Sequence, residues 1–191
     1  MGIYLVGVDT DDWHEEEALG PVADALRTEL ARRDLPPYTC PDPAEHRPRS
    51  GRRFEVKLNR PMDGFGRLCR ERADGTEEAL LGWDVLLPVD LEGPLVLPVP
   101  SAYNDPTTIG SALHALAAAR GLAELLQLPA GIPRHCDRLD LNAWFAGPAA
   151  AEAAAVAPGP WSEDLDTAFY AAVHLRAAEH ALRRGCPVSY T

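Results

Sequence analysis

A chain of 191 residues, 46% of them hydrophobic, is long enough to bury a sizeable core without disulfides or metal, and it reads as a single domain over residues 1–191. Its net charge of −11 makes nucleic acid an unlikely main ligand, and no apolar run approaches a membrane span or a signal peptide. Cys40, Cys69, Cys136 and Cys186 are scattered without metal-ligand or redox spacing, so a reducing cytoplasm is the expected compartment and no cofactor is expected.

Ile3 to Val8 is short, apolar and β-branched, the pattern of a buried strand. Gly20-Pro21 opens a helix, with Val22, Leu26 and Leu30 at spacing four and Arg32-Arg33 at its end. Residues 34–51 hold five prolines and no apolar period, which marks a Pro/Arg-rich surface loop. Phe54 to Asn59 alternates apolar and polar, as a half-buried strand does. Asp74-Gly75 suits the positive φ of a tight turn, so a second hairpin is expected there. Trp83–Val89 and Leu95–Val99 read as two more strands, and their prolines place at least one of them at a sheet edge.

Asp105-Pro106 matches a helix start, and a helix is expected from there to Gln127 with His114 in its buried half. Residues 146–160 are an Ala/Pro-rich connector or a short poor helix. A long helix capped by Ser162 runs to Arg184 and stops at Gly185, and the tail from Pro187 adds an edge strand. A run of strands followed by helices favours α+β: a mostly antiparallel sheet of about five strands with three main helices packed on it.

Half of the positive charge lies in 26 residues. Arg47 to Arg72 hold nine Lys/Arg against three Asp/Glu, while the remaining 165 residues sum to −17. Arg47, Arg49, Arg52, Arg53, Lys57, Arg60, Arg67, Arg70 and Arg72 are therefore the candidate binding residues. They would form a docking face for an acidic partner or anionic ligand, unless carboxylates of the same chain answer them.

Asp9, Asp11, Asp12 and His14 open an acidic cluster that could hold a hard cation or simply be solvated helix-start charge. Val8-Asp9-Thr10-Asp11 resembles the opening of the haloacid-dehalogenase-like phosphatases, which implies a nucleophilic Asp9 and a proton-handling Asp11. That family also uses a later Ser/Thr, a lysine and a terminal acidic pair on a doubly wound sheet. The only lysine here, Lys57, lies in an alternating, antiparallel-type strand, so helix-start charge is the preferred reading.

Ser101, Tyr103 and Asn104 lie in the loop before the expected helix and could line a small-molecule pocket, with His174 or His135 carrying protons. His174 also reads as a core histidine, and His135-Cys136-Asp137 as a segment with an inert thiol. Two functions follow. One is a non-catalytic protein-interaction module, immunity- or antitoxin-like, whose partner is another protein. The other is a small-molecule hydrolase or transferase with its site at residues 101–105.

Overall fold

The computed structural model describes residues 2–41 and 53–191. Arg47, Arg49, Arg52 and most of the Pro/Arg-rich loop lie outside the described residues. In chain order the elements are β1 (Tyr4–Gly7), α1 (Thr10–His14), α2 (Gly20–Arg32), β2 (Glu55–Lys57), α3 (Asp63–Glu71), α4 (Thr76–Leu81), β3 (Val85–Leu87), β4 (Leu95–Leu97) and β5 (Thr107–Ser111). Then follow α5 (Ala112–Leu126), α6 (Asp140–Ala146), α7 (Pro148–Val156), α8 (Pro160–Glu163), α9 (Leu165–Arg184) and β6 (Val188–Tyr190).

The six strands form one mixed sheet in the order β2-β1-β6-β3-β5-β4. Only β3 and β5 run parallel; the other four pairings are antiparallel. Strand alternation divides the core in two. Val85 and Leu87 of β3 join Val22, Leu26 and Leu30 of α2 on one face of the sheet, while Leu86 joins the cluster under α5 and α9 on the other. The result is a layered α/β/α arrangement. The expected mostly antiparallel sheet is met in its antiparallel majority, with a sixth strand and more helices than the three foreseen.

α9 is the hub of the helical layer: Thr167 to His174 are all buried, and the helix packs on α3, α5, α6, α8 and the sheet. Buried alanines face each other across the α5–α9 seam, Ala115 and Ala119 on one side and Ala168, Ala171 and Ala172 on the other. Small side chains let the two helices approach closely. Gly185 ends α9 at φ 67°, as expected of a left-handed cap.

Several expectations are corrected. Asp74-Gly75 joins α3 to α4 and is not a hairpin; Gly75 does take a positive φ of 80°. The helix expected from Asp105 begins only at Ala112, because Thr107, Thr108 and Ile109 are β-branched and form β5 between β3 and β4. Gly110 pairs with Leu86 in that strand, and a Cβ there would lie 2.9 Å from the Trp83 side chain. His114 therefore lies on the first turn of α5 with half of its side chain exposed, not in a buried half-helix. Ser162 lies within the short α8, where its hydroxyl accepts from the Gly159 amide at 3.1 Å, whereas α9 is capped by Asp164, which accepts from the Thr167 amide at 3.0 Å. The tail is an interior strand between β1 and β3, not an edge.

The two true edges differ. β4 is flanked by Pro94 and Pro98, which deters further pairing. β2 is sealed: the Glu55 amide donates to the Cys136 carbonyl at 2.9 Å, and Asn142 exchanges hydrogen bonds of 3.0 and 2.7 Å with the Lys57 backbone. This seal anchors the segment that follows α5 and thereby places His135. Among the described residues no helix is long and apolar enough to cross a membrane.

Candidate functional site

The five candidates for a small-molecule site are not brought together. Ser101, Tyr103 and Asn104 belong to the β4–β5 connection; Tyr103 is exposed, and the polar atoms of Ser101 and Asn104 brace the turn. The Ser101 hydroxyl accepts from the Asn104 amide at 3.1 Å, and the Asn104 side chain donates to the buried Asp84 carboxylate. The other oxygen of Asp84 accepts from the Thr108 amide at 2.7 Å. His174 is in the core, stacked on Phe65 at 5.0 Å and edge-on to Trp83 at 6.1 Å. Its Nδ1 donates to the Tyr170 carbonyl at 2.9 Å, while Nε2 makes no hydrogen bond. Burial pushes its pKa down to about 4, against a weaker opposing pull from the Tyr170 and Leu80 backbones. His135 is exposed, in the segment before α6. None of the three cavities described here takes in more than one of the five.

The six described cations of the stretch have separate surroundings. Arg60 is held by Asp166 at 2.7 Å and by the Phe145 carbonyl at 2.9 Å. Arg72 donates to Asp74 at 2.7 Å, and Arg70 and Arg53 lie 3.8 and 3.9 Å from Glu77 and Asp9. Lys57 lies over the Tyr4 ring at 5.8 Å, and Arg67 is exposed on α3. Four of the six described cations thus have a carboxylate of the same chain within reach.

The acidic cluster starts α1. Asp9 is its N-cap and accepts from the Asp12 amide at 3.1 Å. Burial and the neighbouring Asp9 raise the Asp12 pKa. β1 lies antiparallel to both of its neighbours, unlike the parallel nucleophile strand that the phosphatase resemblance implies. Among the described residues no three His, Cys, Asp or Glu side chains gather as a metal site.

The arrangement with most chemical character lies elsewhere. α5, α9 and the segment 128–135 enclose a groove of about 770 Å³. Leu116 and Ala123 of α5, Leu128 and Ile132 of the segment, and Leu175 and Leu182 of α9 supply its apolar lining. Arg120, Arg134, Arg176 and Arg183 line it with His135, against the single carboxylate of Glu179. Each of the three walls carries at least one arginine.

These cations do different work. Arg176, only 12% exposed in its side chain, donates to the Pro133 carbonyl at 2.8 Å, the Ile132 carbonyl at 3.3 Å and Glu179 at 2.7 Å. It therefore ties the segment to α9 and engages one oxygen of Glu179. Among the described residues Arg183 meets only His180, at 3.5 Å. Arg120 and Arg134 are exposed and have no carboxylate within 4.0 Å among the described residues. Cys136, beside His135, is buried, and burial pushes its thiol up to about 12, far from a thiolate nucleophile.

Sequence reading missed this site because its walls come from three separate stretches. The available signal was arginine on leucine stripes: Leu116-Arg120-Ala123 at spacings four and three, and Leu175-Arg176 with Leu182-Arg183 at spacing seven. Comparison with known proteins gave no match: no family model, no curated protein and no solved structure matches the chain.

Proposed function

We propose that the protein is a non-catalytic, cytoplasmic interaction module that binds an acidic partner protein in the groove between α5 and α9. One observation carries this reading: four arginines and a histidine line a concave, leucine-bearing surface where, among the described residues, the one carboxylate, Glu179, accepts from Arg176. In a chain of net charge −11 the groove is a local excess of positive charge, opposite in sign to the molecule as a whole. Charged residues of this kind supply specificity and association rate. The enzyme alternative at residues 101–105 finds less support, because Ser101 and Asn104 spend their polar atoms on the turn and His174 is enclosed by aromatic rings.

The test is fluorescence anisotropy with a labelled oligoglutamate and an oligolysine of equal length. Oligoglutamate binding at low salt, loss of that binding at high salt, and its absence from Arg120→Ala/Arg134→Ala/Arg183→Ala support the reading. Binding that survives the triple variant, or a preference for oligolysine, overturns it. Long-range attraction cannot produce the expected result, because the whole molecule repels a polyanion.

A further inference from the structure

The geometry points to an amphipathic α-helix with acidic flanks, about three turns long, as the element of the partner that fills the α5–α9 groove. This inference rests on the acidic-partner reading and adds the conformation of the ligand.

Three features of the groove select that occupant. The first is its length. On α9 the lining runs from Ala172 to Arg183 as a continuous helical stripe. At 1.5 Å per residue that spans about 17 Å, the length of a three-turn helix.

The second is what the walls lack. Two walls are helices whose backbone groups bond internally, and neither sheet edge borders the groove. In the third wall Leu128 and Ile132 spend their amides on the Ala123 and Pro129 carbonyls, while Arg176 takes the carbonyls of Ile132 and Pro133. An extended peptide laid over the leucines would bury backbone groups with few partners, which is unfavourable. A helix satisfies its own backbone and offers only side chains, so it suits a wall of side chains.

The third feature is charge complementarity. Leu116, Leu175 and Leu182 lie along the floor and are partly buried. Arg120 stands on one side of them, Arg183 on the other and Arg134 on the connecting segment. A ligand with an apolar stripe and acids on both shoulders answers all three at once. Such side-chain recognition reads residues at spacings of three, four and seven.

Three labelled probes and one unlabelled competitor decide the matter by anisotropy against the full chain. They are a twelve-residue Leu/Glu amphipathic helix, the same composition with a central proline, an oligoglutamate, and laurate as competitor. The helix is expected to bind at least ~tenfold tighter than its proline-broken counterpart. That affinity should fall in Leu175→Gln/Leu182→Gln and in the triple arginine variant. Circular dichroism on each variant establishes that it is folded. Equal binding of helix, broken helix and oligoglutamate overturns the helical inference while leaving the acidic-partner reading intact. Full displacement by laurate, with no helix preference, reassigns the groove to a small amphipathic acid and also overturns the inference. So does a dimer of the chain alone that the triple variant abolishes. If no anionic probe binds at all, both readings fall.

Discussion

Arg60 and Arg120 represent the two ways this molecule uses a guanidinium. Arg60 comes from the densest cationic stretch of the sequence, yet it is a structural strut. It bonds Asp166 and the Phe145 carbonyl, and lies 5.9 and 5.5 Å from the Phe145 and Phe169 ring centres. Arg120 comes from an unremarkable helix turn, and among the described residues no carboxylate reaches it. Charge density along a chain and charge density in space are therefore different quantities. The first is set by neighbours in sequence, the second by which elements the fold brings together.

Truncation separates the two uses most sharply. Arg60→Ala removes a pair that is 20% exposed on the arginine side and leaves the Phe145 carbonyl without its donor. A loss of about 2–3 kcal/mol in urea denaturation is expected, with peptide binding by the folded fraction unchanged. Arg120→Ala should do the reverse: stability within about 0.5 kcal/mol of the parent and weaker acidic-peptide binding. Equal stability effects would dissolve the distinction.

Acidification probes the core against the groove by another route. Burial pushes the pKa of His174 down to about 4 and, with repulsion from Arg183 and Arg184 added, that of His180 to about 3. Both values lie below the 6.5 of a free imidazole, so the unfolded chain takes up protons that the folded chain refuses. The stability they support is full above pH 6.5 and falls as pH drops toward 4 and then 3. The urea midpoint should decline over that window, and His174→Gln/His180→Gln should flatten the decline. The groove arginines do not titrate there. A midpoint independent of pH between 6.5 and 4 would contradict the neutral-core description.

Local signals in the sequence were read correctly where one residue decides the backbone. Gly20-Pro21 starts α2, Gly185 stops α9, and Phe54 with Val56 faces the core. Reading failed where one signal has two structural uses. Asp74-Gly75 serves a helix–helix link as well as a hairpin, since both need positive φ. Asp105-Pro106 looks like a helix cap, yet the β-branched run behind it joins the sheet. The tail reads as a strand, but at an edge, because a three-residue strand acquires its interior position only from β1 and β3. The groove was illegible for the same reason: Arg120 and Arg176 are 56 positions apart, and only the α5–α9 seam makes them neighbours.

Arg176 combines the two uses and should give an intermediate result. Arg176→Lys keeps the charge but loses the planar fork that reaches Ile132, Pro133 and Glu179 together. About 1 kcal/mol of stability should go with it, and peptide binding should weaken because the 128–135 wall loosens. Binding at the parental level would mean that this wall contributes nothing to the ligand surface.

The smallest expected effect is the most discriminating control. α2 carries Arg27, Arg32 and Arg33, each paired on the helix surface with Asp24 or Glu29, and its apolar side faces the opposite core from the groove. Arg32 and Arg33 together hold the Glu29 carboxyl down at about 2, so these cations are already answered. Arg27→Ala/Arg32→Ala/Arg33→Ala removes as many positive charges as the groove triple and shifts the net charge equally. Peptide affinity should stay within error of the parent, and the salt dependence should be unchanged. If this variant weakened binding as much as the groove triple does, the peptide would be responding to total charge, and the difference between answered and unanswered arginines would carry no functional meaning.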